Sequence, residues 1–595
     1  MPETTAYLRV GWYKSQSFVA LVTCMIRPDT FLHPSLSPVT PEPAVTLIVV
    51  RDREQGGMEV LLSRRSAQAR FVPNAYVFPG GRLETDDAAL AQQGQFRPAA
   101  SLNNATLAAA AARECFEELG LLFARDTEGN MVNRTMLEQA HLDRSGPLLA
   151  QLHHHGWHLA LDGIYPFAHW ITDRDYPRRF DVPFLVAHAP SDQIAVADGA
   201  EQFDALWLTP AQALEQHAAG HMLLVYPTIR TLEQLALYRS ADALLQACQN
   251  GPVMPPSCPR VGFSQGQEIR LMEHEPGFGE LHLVCPNGEP AHDIAWQHER
   301  PVPLLRHIQR LTAPNAGMMT GPGTNTYLIG EPSTGFIVMD PGPIEPQHLQ
   351  RIMQHTGGDI RHIVCTHSHP DHSPGAAPLQ AMVQGCGHAV PGIYGMSSGP
   401  FARQDSQFTP DHELRTGDTV QLQGQRANGD SITHTLHALH TPGHAANHLC
   451  FVLQEDGLLF SGDHILGGST TVVIPPDGGM QDFLDSLDQL SLACQRWDIS
   501  FILPAHGHVL DCAPEVIAQL KAHRLRRETK VLRAIEQAPQ GTVEDWLATA
   551  YADTPPALWP VARLSLLAHV QRLASLHPAL GLQRIPMPEG LAAPH

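Results

Sequence analysis

Thr366-His367-Ser368-His369-Pro370-Asp371-His372 follows an apolar run at 363–365 and carries more chemistry per residue than any other stretch of the chain. Three imidazoles and one carboxylate leave the end of a predicted strand within six residues. Alternation along an extended segment would put His367, His369 and Asp371 on one side. Neutral imidazole and carboxylate are ligands that a borderline cation such as Zn²⁺ accepts at about 2.0–2.2 Å. A catalytic pair of metals needs more ligands than this run supplies, and they are available downstream. His444 stands in Thr441-Pro442-Gly443-His444, Asp463 in Phe460-Ser461-Gly462-Asp463-His464, and His506 in Leu503-Pro504-Ala505-His506-Gly507. Each follows an apolar strand and sits beside Gly or Pro, where a tight turn can aim a side chain into a shared cleft. A chain with 35 histidines also shows chance clusters. His153-His154-His155 point three ways, and His434, His437 and His440 read as strand surface. The four anchors above agree in order and type, which sets them apart.

At these residues the stretch from about 301 to 520 resembles the metallo-β-lactamase superfamily, whose signature is HxHxDH followed by single His, Asp and His positions. The resemblance implies an αββα sandwich holding two zinc ions. By position, His367, His369 and His444 would bind one zinc, Asp371, His372 and His506 the second, and Asp463 would bridge them. Two metals about 3.5–4 Å apart lower the pKa of a water and clamp a developing oxyanion, so no protein nucleophile is needed. Asp371 would also be the catalytic residue that orients the water. Within the superfamily the lactamase-β-like protein 2 branch is the most similar. Gly321-Pro322-Gly323-Thr324-Asn325-Thr326-Tyr327-Leu328, Gly467-Gly468-Ser469-Thr470-Thr471 and a winged-helix-like C-terminal appendage carry that likeness. Relatives in that branch include endoribonucleases acting on single strands, and the neighbouring glyoxalase II branch hydrolyses thioesters. The loop at 321–326 lacks the Lys and following helix of a phosphate cradle and reads as a turn.

In the first half, Arg113-Glu114-Cys115-Phe116-Glu117-Glu118-Leu119-Gly120-Leu121 ends an Ala-rich predicted helix at 105–122. Offsets of three and four residues put Glu114, Glu117 and Glu118 on one face, which is costly unless a cation sits there. Oxygen ligands without histidine suit Mg²⁺ or Mn²⁺. With Phe78-Pro79-Gly80-Gly81-Arg82-Leu83-Glu84 upstream, this segment resembles the two halves of the Nudix box, and the resemblance implies an α/β/α sandwich. Asp87 stands where the first box glutamate would be, and about 18 extra residues separate the halves, as in the peroxisomal CoA-diphosphatase type. Leu61-Leu62-Ser63-Arg64-Arg65-Ser66, Arg70, Asn74 and Phe78 to Gly81 follow the CoA-specific extension, with Ser63 for Thr and Asn74 for Gly. The resemblance implies Glu114 and Glu117 as catalytic, Glu114, Glu117 and Glu118 as metal ligands, and Arg65, Arg70, Gly80, Gly81 and Arg113 at the substrate. Guanidinium forks suit phosphate oxygens. Glu201 is a weaker candidate for a further ligand or base.

The whole chain is therefore expected to be a multidomain α/β and α+β protein. Its expected parts are an N-terminal tail (1–41), a Nudix-like domain (42–250), a linker or small β annex (251–300), a metallo-β-lactamase-fold domain (301–521) and a small helical winged-helix-like domain (522–595). At 595 residues the chain exceeds any single core. Its 47 glycines and 50 prolines stay well below the share of a low-complexity chain. A formal charge of -21 excludes a global nucleic-acid or membrane footprint. One local exception is the basic run Lys521, Arg524, Arg526, Arg527, Lys530 and Arg533, expected to be a solvated face or a phosphate contact. Ten cysteines without CxxC spacing, mostly inside apolar runs, read as free thiols in a reducing compartment, which favours the cytoplasm. No apolar stretch is long enough to span a membrane. The expected function is a bifunctional metal-dependent hydrolase of a thioester such as acyl-CoA and of a CoA or nucleoside diphosphate derivative. The alternative is a zinc-dependent endoribonuclease on RNA, with the first half a nucleotide sensor.

Overall fold

The computed structural model describes residues 26–33, 37–69, 72–96, 102–251, 255–426 and 429–582. It divides into two compact units. The first runs from 38 to 259. Its central strand, Glu42–Asp52, lies antiparallel to Met58–Arg65 and Gly80–Arg82 and parallel to Phe180–His188, which pairs with Tyr165–Ile171. Helix Leu102–Leu119 covers this sheet. Its buried alanines, 108 to 112, meet Val45, Leu47 and Val49, because methyl side chains let a helix approach a β-branched surface closely and cost no rotamer entropy. Two further helices follow, Tyr226–Leu235 and Ala241–Asn250. Ser240 accepts a hydrogen bond from the Ala243 N–H and starts the second.

The second unit contains a seven-stranded and a six-stranded sheet. Tyr327, Ile329 and Ile337 of one pack with Leu436, Phe451 and Phe460 of the other in a shared core. Helices Pro346–Thr356 and Ala376–Gly385 cover the outside of the first sheet. Met480–Trp497 and the start of Ala513–Gln537 cover the second, giving the αββα order. The last helices, Val543–Ala550 and Trp559–Leu576, close around Trp546 with the far end of Ala513–Gln537. That 25-residue helix is continuous through position 522, where the last domain was expected to begin.

Of the two readings of 251–300, a linker or a small β annex, the described residues from Arg260 on fit the annex, with a helix added to it. They form the hairpin Arg260–Ser264 and Gln267–Leu271 and the helix Phe278–Val284, whose fully buried Glu280 pairs with Arg310 and His292. The N-terminal tail is also structural where it is described. Ile26 lies in the core of the second unit, and Arg27 bonds Asp456 through Nε at 3.0 Å and Nη2 at 2.7 Å. Asp456 is fully buried and also meets His307 Nε2 at 2.9 Å. The partner of Arg27 lies 429 positions away. Five cysteines (115, 285, 365, 450 and 494) are buried as read, whereas Cys386 and Cys512 are exposed and Cys24 lies outside the described residues. His434, read as surface, is buried and stacked on His307 at 4.8 Å. Among the described residues no helix is long and apolar enough to cross a membrane.

Stranding a buried carboxylate is costly. Arg27→Met in the full chain is expected to destabilise the second unit by about 3 kcal/mol, the low end because His307 remains. Despite the cost of burial, His307 and Arg27 hold the Asp456 carboxyl well below its usual range, so its contribution is present above the ordinary carboxylate pKa and fades as pH falls through the lowered one. Urea unfolding at pH 7 and at progressively lower pH checks both: the gap between wild type and variant should shrink on acidification.

Candidate metal centre

The histidine run leaves the C-terminal end of the strand Ile360–Val364, in the middle of the first sheet. His444 lies between the second-sheet strands Ser431–His440 and Leu449–Leu453. Asp463 follows Leu458–Gly462 and His506 follows Phe501–Pro504. The centre is thus assembled from both sheets.

The run is not extended. The His372 N–H donates to the His369 carbonyl at 3.0 Å, a turn at Pro370-Asp371 that overrides the expected alternation. His367 and His369 stay together, with Nε2 and Nδ1 3.0 Å apart, and His444 Nε2 joins them at 2.9 Å from His369 Nδ1. Asp371 turns away to meet His372 and His506, with Oδ2 3.2 Å from each Nε2. Asp463 faces both sets: Oδ2 is 3.4 Å from His444 Nε2, and Oδ1 is 3.3 Å from His506 Nε2 and 3.5 Å from His372 Nε2. All seven expected side chains converge, in three overlapping groups whose donor atoms lie within 4.8 Å of one another.

The donor set fits a pair of cations. Two nitrogens on one tetrahedral zinc lie about 3.3 Å apart when each Zn–N bond is about 2.05 Å, close to the spacings found. His372 Nε2 and Asp463 Oδ1 are buried without a hydrogen-bond partner, an arrangement that is expensive unless something else meets them. Electrostatics agree. Burial pulls His369 down to about 3, with His444 adding to it. Burial works against His506 too, but Asp463 and Asp371 push it up to about 10. Asp371 and Asp463 are held well below the carboxylate range against their own burial, Asp371 chiefly by His372 and Asp463 by His506 and His372. His369 and Asp371 are only half-buried, so the centre opens to solvent on their side.

Residues that sequence reading did not single out orient the rings. Asp340, at φ 50°, receives His372 Nδ1–H at 3.0 Å and the Thr366 hydroxyl at 2.7 Å. Thr366 in turn meets His367 Nδ1 at 3.0 Å. The Thr324 hydroxyl donates to Asp371 Oδ2 at 3.3 Å, and the Gly323 carbonyl takes His506 Nδ1–H at 3.1 Å. His448 Nε2 accepts the Asp463 N–H at 3.1 Å. Such contacts fix tautomer and aim. The only sequence signal for Asp340 was a carboxylate before Pro341-Gly342 at a strand end.

The glutamate helix of the first unit is arranged differently. Arg113 is 3% exposed and binds Asp87 through Nε at 2.8 Å, Glu114 at 3.0 Å, Glu117 at 2.9 Å and the Arg82 carbonyl at 3.0 Å. Asp87 therefore meets the buried guanidinium despite its shorter side chain, and the insertion leaves that contact intact. Glu118 instead accepts from the Gly80 N–H at 3.0 Å and from Gln202 Nε2 at 2.8 Å. Burial raises Glu114 to about 7 and Glu118 to about 8. A Cβ on Gly81 would fall 2.3 Å from Glu114 Oε1 and displace that carboxylate, and one on Gly80 would fall 2.3 Å from the Val45 carbonyl oxygen, where the backbone cannot give way. The three glutamates share a face but are not drawn into one donor group; among the described residues every such group lies in the second unit. Arg65 keeps a buried, unpartnered Nε. Arg70 lies outside the described residues. Glu201 is exposed, and its neighbour Gln202 reaches the cluster.

The basic run is not a free patch. Arg524 is buried and donates to the Thr471 carbonyl. Lys521 pairs with Asp488, and Arg527 and Lys530 with Asp553. Of the six only Arg524 is buried; Lys521, Arg527 and Lys530 form ion pairs at the surface, and Arg526 and Arg533 are exposed.

Comparison with known proteins agrees with this geometry. Family models match the metallo-beta-lactamase superfamily at 319–506, the NUDIX domain at 40–227 and the beta-lactamase associated winged helix domain at 542–576. A beta-lactamase-like protein 2 homolog of Caenorhabditis elegans is 30% identical over 278 residues, 46% of this chain and 85% of that protein. An atrochrysone carboxyl ACP thioesterase of Aspergillus chevalieri is 32% identical over 250 residues, 40% of this chain and 71% of that one. A solved NUDIX hydrolase from Alicyclobacillus acidocaldarius is 30% identical, covering 36% of this chain and 99% of its own, with a TM-score of 0.33. The chain belongs to the metallo-β-lactamase superfamily, as a hydrolase that carries a NUDIX domain before that fold and a β-lactamase-associated winged helix after it.

Proposed function

We propose that the second unit hydrolyses a thioester of the acyl-CoA class with two zinc ions. The first unit, on the same reading, cleaves a diphosphate bond of CoA or a similar nucleoside diphosphate derivative with Mg²⁺ or Mn²⁺. The observation that carries the reading is Asp463, whose two oxygens face two separate sets of metal-type donors. The thioesterase relatives support the thioester, and the Arg65 and Phe78-to-Gly81 match supports the CoA moiety.

His367, His369 and His444 would hold one cation and Asp371, His372 and His506 the other, with Asp463 between. Bound there, such a pair supplies Lewis acidity and an acidified water. The chain's own residues do the rest. Asp371, steadied by Thr324 and open on its solvent side, accepts a hydrogen bond from the attacking water and orients it toward the acyl carbon. The water oxygen bonds to that carbon, the C–S bond breaks, and the departing thiolate takes the proton. Asp340, Thr366 and His448 keep the rings and the Asp463 carboxylate in register. In the first unit Glu114, Glu117 and Glu118 would hold the Mg²⁺ or Mn²⁺. Arg113 ties their helix to the end of the strand Gly80–Arg82 through the Arg82 carbonyl, and Arg65 offers a donor to a phosphate oxygen.

With zinc-loaded full-length protein, acyl-CoA hydrolysis followed by thiol release is expected, and Asp463→Asn should lower it by about 10²–10³-fold, the scale for losing one preorganised charged group. Cleavage of single-stranded RNA without any thioester turnover would contradict the reading.

Phosphate-ester products from CoA should require added Mg²⁺ or Mn²⁺, and Glu117→Gln should suppress them by roughly 10²–10⁴-fold while leaving thiol release from acyl-CoA unchanged. Metal-independent products, or full activity in the variant, would leave the first unit as a binding module.

A further inference from the structure

Residues 464–472 touch three of the seven donor residues. The Thr471 hydroxyl donates to the Asp463 carbonyl at 2.6 Å. His444 Nδ1–H donates to the Val472 carbonyl at 2.8 Å, leaving Nε2 facing the centre. The Gly467 N–H donates to the His506 carbonyl at 2.9 Å. The loop is packed closely there: a Cβ on Gly507, at φ 86°, would lie 1.9 Å from the Gly467 carbonyl.

One charged side chain grips this segment from outside. Arg524, in the helix Ala513–Gln537, is 4% exposed and sends Nη2–H to the Thr471 carbonyl. Its guanidinium lies 5.0 Å from the centre of the Phe483 ring, and His464, next to the bridging aspartate, stacks on the same ring at 4.3 Å. Arg524 Nε is buried with no partner. A residue that only filled this space would be apolar, because a desolvated guanidinium is costly and gives back little through one carbonyl and one aromatic face. What the charge does supply is a strong, directional hold on Thr471.

We propose that Arg524 is a positioning residue of the metal centre. Through the Thr471 carbonyl it fixes the segment whose Thr471 hydroxyl and Val472 carbonyl aim Asp463 and His444. The helix that leads into the C-terminal winged-helix part is then a piece of the catalytic scaffold. The inference rests on the dinuclear reading above and adds the part of the chain that holds it in shape. It also gives roles to two features the sequence singled out separately, the Gly467-to-Thr471 motif and the basic run.

The test uses the full-length chain stripped of metal and reloaded. Zinc stoichiometry and affinity are measured by competition with a chromophoric chelator, and the visible absorption of the cobalt-substituted form reports ligand geometry. Arg524→Met keeps the volume without the donor, Arg524→Lys keeps the charge without the fork, and Thr471→Val removes only the hydroxyl. Arg524→Met and Thr471→Val should each weaken zinc binding by roughly 10–100-fold and alter the cobalt spectrum. Together they should cost little more than the worse single change, because they break one relay. Arg524→Lys should recover part of the loss. If Arg524→Met lowers only the thermal stability of the metal-free protein, and both variants bind two zinc ions as the wild type does, Arg524 merely packs and the inference is wrong. If the wild type itself takes up no zinc, the dinuclear reading fails and this inference falls with it.

Discussion

Five imidazoles and two carboxylates occupy one largely buried volume, with neighbouring donor atoms 2.9–3.5 Å apart. Removing that many ionisable groups from water is unfavourable unless their charges are matched. Inside the chain the matching is incomplete, since His372 Nε2 and Asp463 Oδ1 find no hydrogen-bond partner. Most of the second unit's architecture follows from assembling this group. His367 to His372 come from the first sheet and His444, Asp463 and His506 from the second, so the site exists only when the sandwich closes on its shared core. The apolar energy of that core offsets the cost of the polar cluster at its edge.

The first unit meets the same difficulty in another way. Its acidic groups are matched only in part from within the chain: one guanidinium lies among Asp87, Glu114 and Glu117, and burial still raises Glu114. Glu118 is satisfied by a backbone N–H and an amide. The loss of one methylene at position 87 is absorbed because Asp87 approaches Arg113 from the start of its own short helix, Asp87–Gln93. The inserted residues therefore lengthen the path between the two halves of the box without parting them.

Much of this was legible in the chain because it is local. A metal-type donor beside Gly or Pro after an apolar strand marks a turn that aims a side chain, and His444, Asp463 and His506 stand where that reasoning put them. The alternation of His367, His369 and Asp371 was misleading because a turn at Pro370 wins over the strand, moving Asp371 to the other triad. Contacts between distant residues left little trace. Thr324 reaches Asp371 across 47 positions and Arg524 reaches Thr471 across 53, and neither residue type announces such a partner. Arg27 and His434 were read as tail and surface for the same reason: their partners Asp456 and His307 are brought to them only by the closed sandwich.

The most direct measurement is anomalous diffraction at the zinc absorption edge from crystals of the zinc-loaded full-length protein. The account predicts two peaks about 3.5–4 Å apart, one among His367, His369 and His444, the other among Asp371, His372 and His506, with Asp463 reaching both. A single peak, or zinc bound away from these residues, would contradict it.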